Sequence, residues 1–158
     1  MTANEQTIYD FYTAFQKRDI KTMQDSYADN AVFNDSVFRD LNSSQVKAMW
    51  QMLLSRGGNI KVQFRDIKEE GGKVVAKWEA DYKFTATGKK VLNKVNATFE
   101  IVDGKIVKHT DNFNFYKWAK QAFGGGGLLL GWTNFFVDRV RYTAHKKLEA
   151  YMKKTNRQ

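Results

Sequence analysis

The dipeptide Asp103-Gly104 lies between two apolar, β-branched runs and constrains the chain more than any other feature. Such a pair is the strongest short-range signal for a two-residue hairpin, whose central positions both need positive φ. Residues 98–115 therefore read as the last hairpin of a curved antiparallel sheet. With Val102 opposite Lys105, an unbroken ladder puts Glu100 opposite Val107, Thr98 opposite His109 and Asn96 opposite Asp111. All of these share one face, because side chains alternate with period two. Phe99, Ile101 and Ile106 fall on the other face. A set of His, Asp, Asn and Thr followed by Phe113 and Phe115 suits a pocket wall; an ordinary solvated sheet face is the open alternative.

At 158 residues the chain has room for one domain with a sizeable core, and residues 1–158 are read as one domain. Twelve Phe, seven Tyr and four Trp fit a large core or an aromatic-lined cavity. Without cysteine, disulfides, thiolate metal sites and cysteine nucleophiles are excluded. His109 and His145 have no partners at ligand spacing, so no metal and no cofactor are expected. The N-terminus lacks a signal-peptide pattern and no apolar run approaches a membrane span, so the expected setting is the cytoplasm, with no membrane partner. Of the formal net charge of +9, much lies at the C-terminal end: residues 132–158 carry seven Lys/Arg against two acids. Such a tail could steer nucleic acid, but a solvated helix face is the preferred reading, and no nucleic-acid partner is expected.

Apolar residues Ile8, Phe11, Tyr12 and Phe15 recur at helical spacing and predict a helix over 4–17. Asp19 can cap a second helix carrying Ile20, Met23 and Tyr27 on one face and ending at Asp29-Asn30. A short strand, 31–35, follows. Ser43-Ser44 can cap a third helix with Val46, Met49, Trp50 and Leu53 on one side, which Gly57-Gly58 would stop. The period then changes to two. Ile60, Val62 and Phe64 alternate with charged and amide residues, and Gly71-Gly72 turns into a long strand over 73–86 with Val74, Ala76, Trp78, Ala80, Tyr82 and Phe84 alternating. Thr87-Gly88 turns into 91–102. A two-residue loop there places Glu79 and Asp81 on the His109/Asp111 face; one more loop residue places Trp78 and Tyr82 there instead, and the choice stays open. Residues 116–123 predict a short helix, and 124–127 a glycine hinge rather than a phosphate loop, since no Gly-Lys-Ser/Thr follows. Trp132, Phe136, Val140, Ala144, Leu148 and Tyr151 then mark a long amphipathic helix over 128–154, with Arg139, Lys146 and Lys153 on its wet side.

Phe11-Tyr12-Thr13-Ala14-Phe15 with Asp19, the run from Tyr27 to Asp35 containing Asp29-Asn30-Ala31-Val32-Phe33, and Asp103-Gly104-Lys105-Ile106 followed by Asp111-Asn112-Phe113 together resemble the nuclear transport factor 2-like superfamily. That superfamily includes SnoaL-like proteins, ketosteroid isomerase and limonene-epoxide hydrolase. The resemblance implies an α+β fold, a cone-shaped curved antiparallel sheet with N-terminal helices on its concave face, to which this chain adds a C-terminal amphipathic helix. It implies that Asp35 stands where the isomerases keep a general base, and Asp111 where the hydrolases keep a carboxylate used in water activation. Two departures accompany it. The position of the isomerase oxyanion-binding tyrosine is Phe11, with Tyr12 adjacent, and the arginine of the hydrolase Arg-x-Asp is replaced in Glu79-Ala80-Asp81.

The expected function is binding of a small, mostly apolar molecule in the cone, with metal-free acid/base chemistry of an isomerase or hydrolase type by Asp35, Asp111 and His109. Phe11, Tyr12, Phe15, Trp50, Trp78, Tyr82, Asn96 and Phe113 are the candidate ligand contacts. The alternative is a non-enzymatic dimerisation or binding module whose cone is filled by Phe15, Trp50 and Trp78. Relatives of this fold commonly pair through the sheet, so a homodimer is expected.

Overall fold

The computed structural model describes residues 1–55, 59–125 and 133–156. Among the described residues the elements follow in the order α1 Ala3–Lys17, α2 Ile20–Asp25, β1 Tyr27–Asn34, β2 Leu41–Asn42, α3 Ser43–Ser55, β3 Lys61–Glu70, β4 Lys73–Lys83, β5 Lys90–Val102, β6 Lys105–Asn112, α4 Phe115–Phe123 and α5 Asn134–Thr155. The strands form one curved sheet in the order β2-β1-β6-β5-β4-β3. Its four long strands are antiparallel neighbours, and β1 joins β6 in parallel.

Local chemistry sets the helix boundaries. Thr2 and Glu5 form a reciprocal capping box at the start of α1, and Arg18 closes the helix in the left-handed region at φ 58. The stripe Ile8, Phe11, Tyr12 and Phe15 is buried against the sheet. Asp19 caps α2 by accepting from the Thr22 N–H at 3.1 Å, as its position predicts. Here α2 stops at Asp25, and Tyr27 opens β1 instead of continuing the helix. The reason is tertiary: Tyr27 pairs with Ile106 on β6, which a helical backbone could not do. The cap of α3 is Asn42 rather than Ser43, because Asn42 and Gln45 exchange side-chain-to-backbone bonds of 2.9 Å each. The expected stop at Gly57-Gly58, the second half of the glycine hinge (Gly126-Gly127) and Trp132 lie outside the described residues.

The hairpin turn forms as the Asp103-Gly104 pair requires, with φ 50 and 74. Val102 faces Lys105 and Ile101 faces Ile106, after which the register slips: Glu100 faces Lys108, leaving Val107 without a partner across the ladder. This bulge corrects the unbroken register. His109 pairs with Phe99 rather than Thr98, Asp111 with Ala97 rather than Asn96, and Asn96 with Asn112. One extra residue moves His109 and Asp111 from the outer face to the concave face, while Lys108, Thr110 and Asn112 lie on the outer side. On the next ladder Trp78 faces Val95 and Tyr82 faces Val91, so Trp78 and Tyr82 join His109 and Asp111 inside, and Glu79, paired with Lys94, points away.

Helices α1 and α3 cover the concave face, and α5 lies along α3 with Leu148 buried and Val140, Ala144, Tyr151 and Met152 packed on the main core. A smaller cluster, Val91, Trp118, Ala119 and Ala122, seats α4 on the ends of β4 and β5.

Candidate functional site

The cone has two halves. Its deep half is solid: Phe11, Tyr12, Phe33, Phe99 and Ile106 are all essentially inaccessible, with Phe11 making edge-to-face contacts with Tyr27, Trp50, Phe99 and His109. Its outer half is a cavity of about 490 Å³ between the concave sheet face, α3, α4 and α5. Phe15, Trp50, Trp78, Tyr82 and Phe113 line it, as do Asp35 and Asp111. Phe15, Trp50 and Trp78, named as candidate ligand contacts and, in the alternative reading, as the filling of the cone, wall its open part.

A hydrogen-bonded chain marks the boundary between the halves. The Trp50 Nε1–H donates to the Tyr27 Oη at 2.9 Å, and that hydroxyl meets His109 Nδ1 at 2.8 Å. His109 Nε2 meets Asp111 Oδ1 at 2.9 Å, and the Trp78 Nε1–H donates to the same oxygen at 3.3 Å. Indole nitrogens only donate, so the proton order follows from the two ends. Tyr27 accepts from Trp50 and donates to Nδ1, and an Nε2-protonated imidazole donates to Asp111. Every member is then satisfied, which a buried polar network requires.

Several expected site residues do not reach the cavity. His109 is 1 % exposed, both ring nitrogens are engaged within the chain, and it stands behind Asp111 in the core. Phe11 and Tyr12 are sealed in the deep half, because the α1 stripe that carries them points at the centre of the sheet. The Tyr12 hydroxyl has no partner among the described residues, and burial holds its proton well above the usual phenol range. Asn96 lies exposed on the outer face of β5, and the Val107 bulge puts Asn112 across from it in place of Asp111.

Asp35 stands in the bend after β1 and combines two roles that the sequence sets against each other. As a turn residue, its Oδ1 accepts from the N–H groups of Val37 at 2.7 Å and Phe38 at 2.6 Å, while its own N–H donates to the Phe38 carbonyl. As a cavity residue, its carboxyl is pushed up to about 7, first by burial among apolar walls. The Phe38 and Val37 N–H donors oppose that shift, the Asp111 charge adds to it, and Arg39 subtracts. Oδ2 accepts no hydrogen bond among the described residues. The bend is braced from α5: the Arg141 Nε–H donates to the Ser36 carbonyl at 3.1 Å, and the Arg39 N–H to His145 Nε2 at 3.3 Å. Ser36 Oγ in turn donates to the Phe113 carbonyl at 2.9 Å.

Sequence reasoning missed the wall contributed by the C-terminal third of the chain. Trp118 on α4 lines the cavity and donates to the Tyr82 hydroxyl at 2.8 Å, while Phe136, Val140 and Ala144 of α5 form the opposite side. The signal was present in the four-residue spacing of that stripe, which reads equally well as a core contact. Among the described residues no group of three or more His, Asp or Glu side chains is placed to hold a metal. No described helix is long and apolar enough to cross a membrane.

Known structures share this architecture. An LEH-like epoxide hydrolase from M. tuberculosis aligns with a TM-score of 0.64 at 20 % identity, covering 81 % of this chain and 95 % of that one. A candidate isomerase from Bacillus subtilis aligns at 0.64 and 21 %, covering 79 % and 97 %. A candidate polyketide cyclase from Xanthomonas campestris pv. campestris aligns at 0.62 and 22 %, covering 76 % and 96 %. At these identities the likeness establishes the fold alone. None of the curated proteins compared with the chain matches it. The family model for the SnoaL-like domain matches residues 8–109, from the α1 stripe through the buried histidine of β6, and the chain belongs to that family within the nuclear transport factor 2-like superfamily.

Proposed function

We propose that the chain binds a small, mostly apolar molecule in the outer half of its cone and that Asp35 moves a proton on it. The supporting observation is the geometry of Asp35: one carboxylate oxygen is tied to two backbone N–H groups and the other is uncommitted at the wall of an apolar cavity. A carboxyl whose pKa is about 7 is ionised often enough to take a proton from carbon and protonated often enough to return it. The reaction class is therefore proton abstraction next to a carbonyl and its return at the same or a conjugated carbon, the step that isomerisation and cyclisation share. Neighbours described as an isomerase and a polyketide cyclase are consistent with it. The hydrolase alternative receives less support, because Asp111 Oδ1 is held by both His109 and Trp78 and the arginine of that motif is absent. The same proposal includes a homodimer formed through the outer sheet face and a cytoplasmic setting.

Hydrogen–deuterium exchange at the α-carbon of small apolar ketones, followed by NMR in D₂O, tests the reading. Exchange should rise through about pH 7 and vanish in Asp35→Asn. Quenching of cavity tryptophan emission without exchange would make the protein a binding module; neither effect would remove the proposal.

A further inference from the structure

The cavity is apolar within but carries cations at its edge. Lys83 lies at the end of β4, and Arg139 and Lys147 lie on α5 beside Phe136, Val140, Thr143 and Ala144. These α5 positions follow 3–4 spacing, so a single helix face turns toward the cavity, apolar along its centre and basic along its flank. All three cations are exposed, and none has an ion pair or side-chain hydrogen bond among the described residues. Arg139 and Lys147 are two turns apart, roughly 12 Å along the helix axis, so they spread positive charge along the rim. The carboxyls sit on the other side of this gradient: Asp111 is 2 % exposed and Asp35 half-buried. A negative ligand group is therefore repelled from the interior and attracted to the rim, which orients any ligand carrying one.

We propose that the ligand is a single-chain amphiphile with one anionic head, its apolar body in the cavity and its head among Lys83, Arg139 and Lys147. This rests on the binding reading above and adds the chemical class and the orientation. The cavity volume, about 490 Å³, is within the ~300–1,000 Å³ typical of small-molecule pockets. With the head at the rim, the apolar chain runs inward toward the carboxyls, so anchoring the head sets which carbon meets Asp35.

Three probes of equal chain length separate charge from apolar binding: dodecanoate, dodecanol and dodecyltrimethylammonium, each below its micellar concentration at pH 8. Trp50, Trp78 and Trp118 line the cavity, so tryptophan emission reports occupancy. Dodecanoate should bind roughly tenfold more tightly than dodecanol, the cation most weakly, and the difference should shrink with added salt. In the triple variant Lys83→Gln, Arg139→Gln, Lys147→Gln, dodecanol affinity should be unchanged and the dodecanoate advantage lost. Dodecanol binding equal to dodecanoate in the wild type overturns this inference and leaves the apolar-binding reading intact; so does an advantage that survives in the variant. If none of the three binds, both fall.

Discussion

Phe99 on β5 and His109 on β6 face each other across the ladder with ring centroids 4.1 Å apart. The pairing exists because Val107 is bulged out, and it places the imidazole inside the aromatic core, against Phe11, Phe33 and Trp50 as well. His109 is a structural residue on this geometry. Replacement by alanine should leave a cavity, take away the acceptor of the Tyr27 hydroxyl proton and leave Asp111 Oδ1 with only the Trp78 donor, costing about 3–5 kcal/mol. Urea unfolding measures the loss; a stable variant with lost turnover would instead give His109 a chemical role.

Asp35 predicts a pH dependence whose sign is fixed. Its folded pKa, about 7, lies above the ordinary value of 3.8, so between these limits the folded state holds more proton than the unfolded one. Stability from this group is complete below about 3.8 and is lost as pH rises through 7. Asparagine removes the ionisation while keeping an oxygen for the Val37 and Phe38 N–H groups. Asp35→Asn should therefore match wild type at pH 5 or fall slightly below it, and be the more stable protein at pH 8. Asp35→Ala, which also removes the turn acceptor, should lose about 0.5–2 kcal/mol at pH 5. Denaturant melts at the two pH values decide both signs.

Tyr12 offers a simpler substitution. Its ring stacks on Phe64 at a centroid distance of 5.3 Å and packs on Phe99, while its hydroxyl lacks a partner among the described residues. Phenylalanine keeps the ring and removes the orphan donor. Tyr12→Phe should raise stability by up to about 1–2 kcal/mol, seen as a higher Tm. A loss of that size would show that the hydroxyl is engaged in solution.

Helix α5 should behave as part of the core. Leu148 is 2 % exposed within the main apolar cluster, although the helix as a whole is strongly basic. Leu148→Ala should cost about 2–5 kcal/mol, and unfolding should remain one cooperative transition by tryptophan emission and circular dichroism. No effect on the main transition would describe a detachable tail.

The helices, the strand alternation and the Asp103-Gly104 turn were legible because they depend on contacts within a few residues: the α1 stripe, the Asp19 cap and the positive-φ pair each carry their own cause. The family was legible for the same reason, since the α1 stripe and the hairpin belong to it. Tyr27 was misassigned because its place in β1 depends on Ile106, far along the chain. The β6 face was misassigned because a bulge shifts a ladder by one residue without a glycine or proline to announce it; Val107 is an ordinary strand residue. That one shift puts His109 and Asp111 on the inner face with Phe99 and separates them from Asn96, while the β4–β5 register independently turns Trp78 and Tyr82 to the same inner face. The candidate acid was visible in the sequence, but its surroundings were not. Whether a carboxyl is desolvated depends on the walls that three distant helices and the sheet place around it, and only the tertiary structure brings them together.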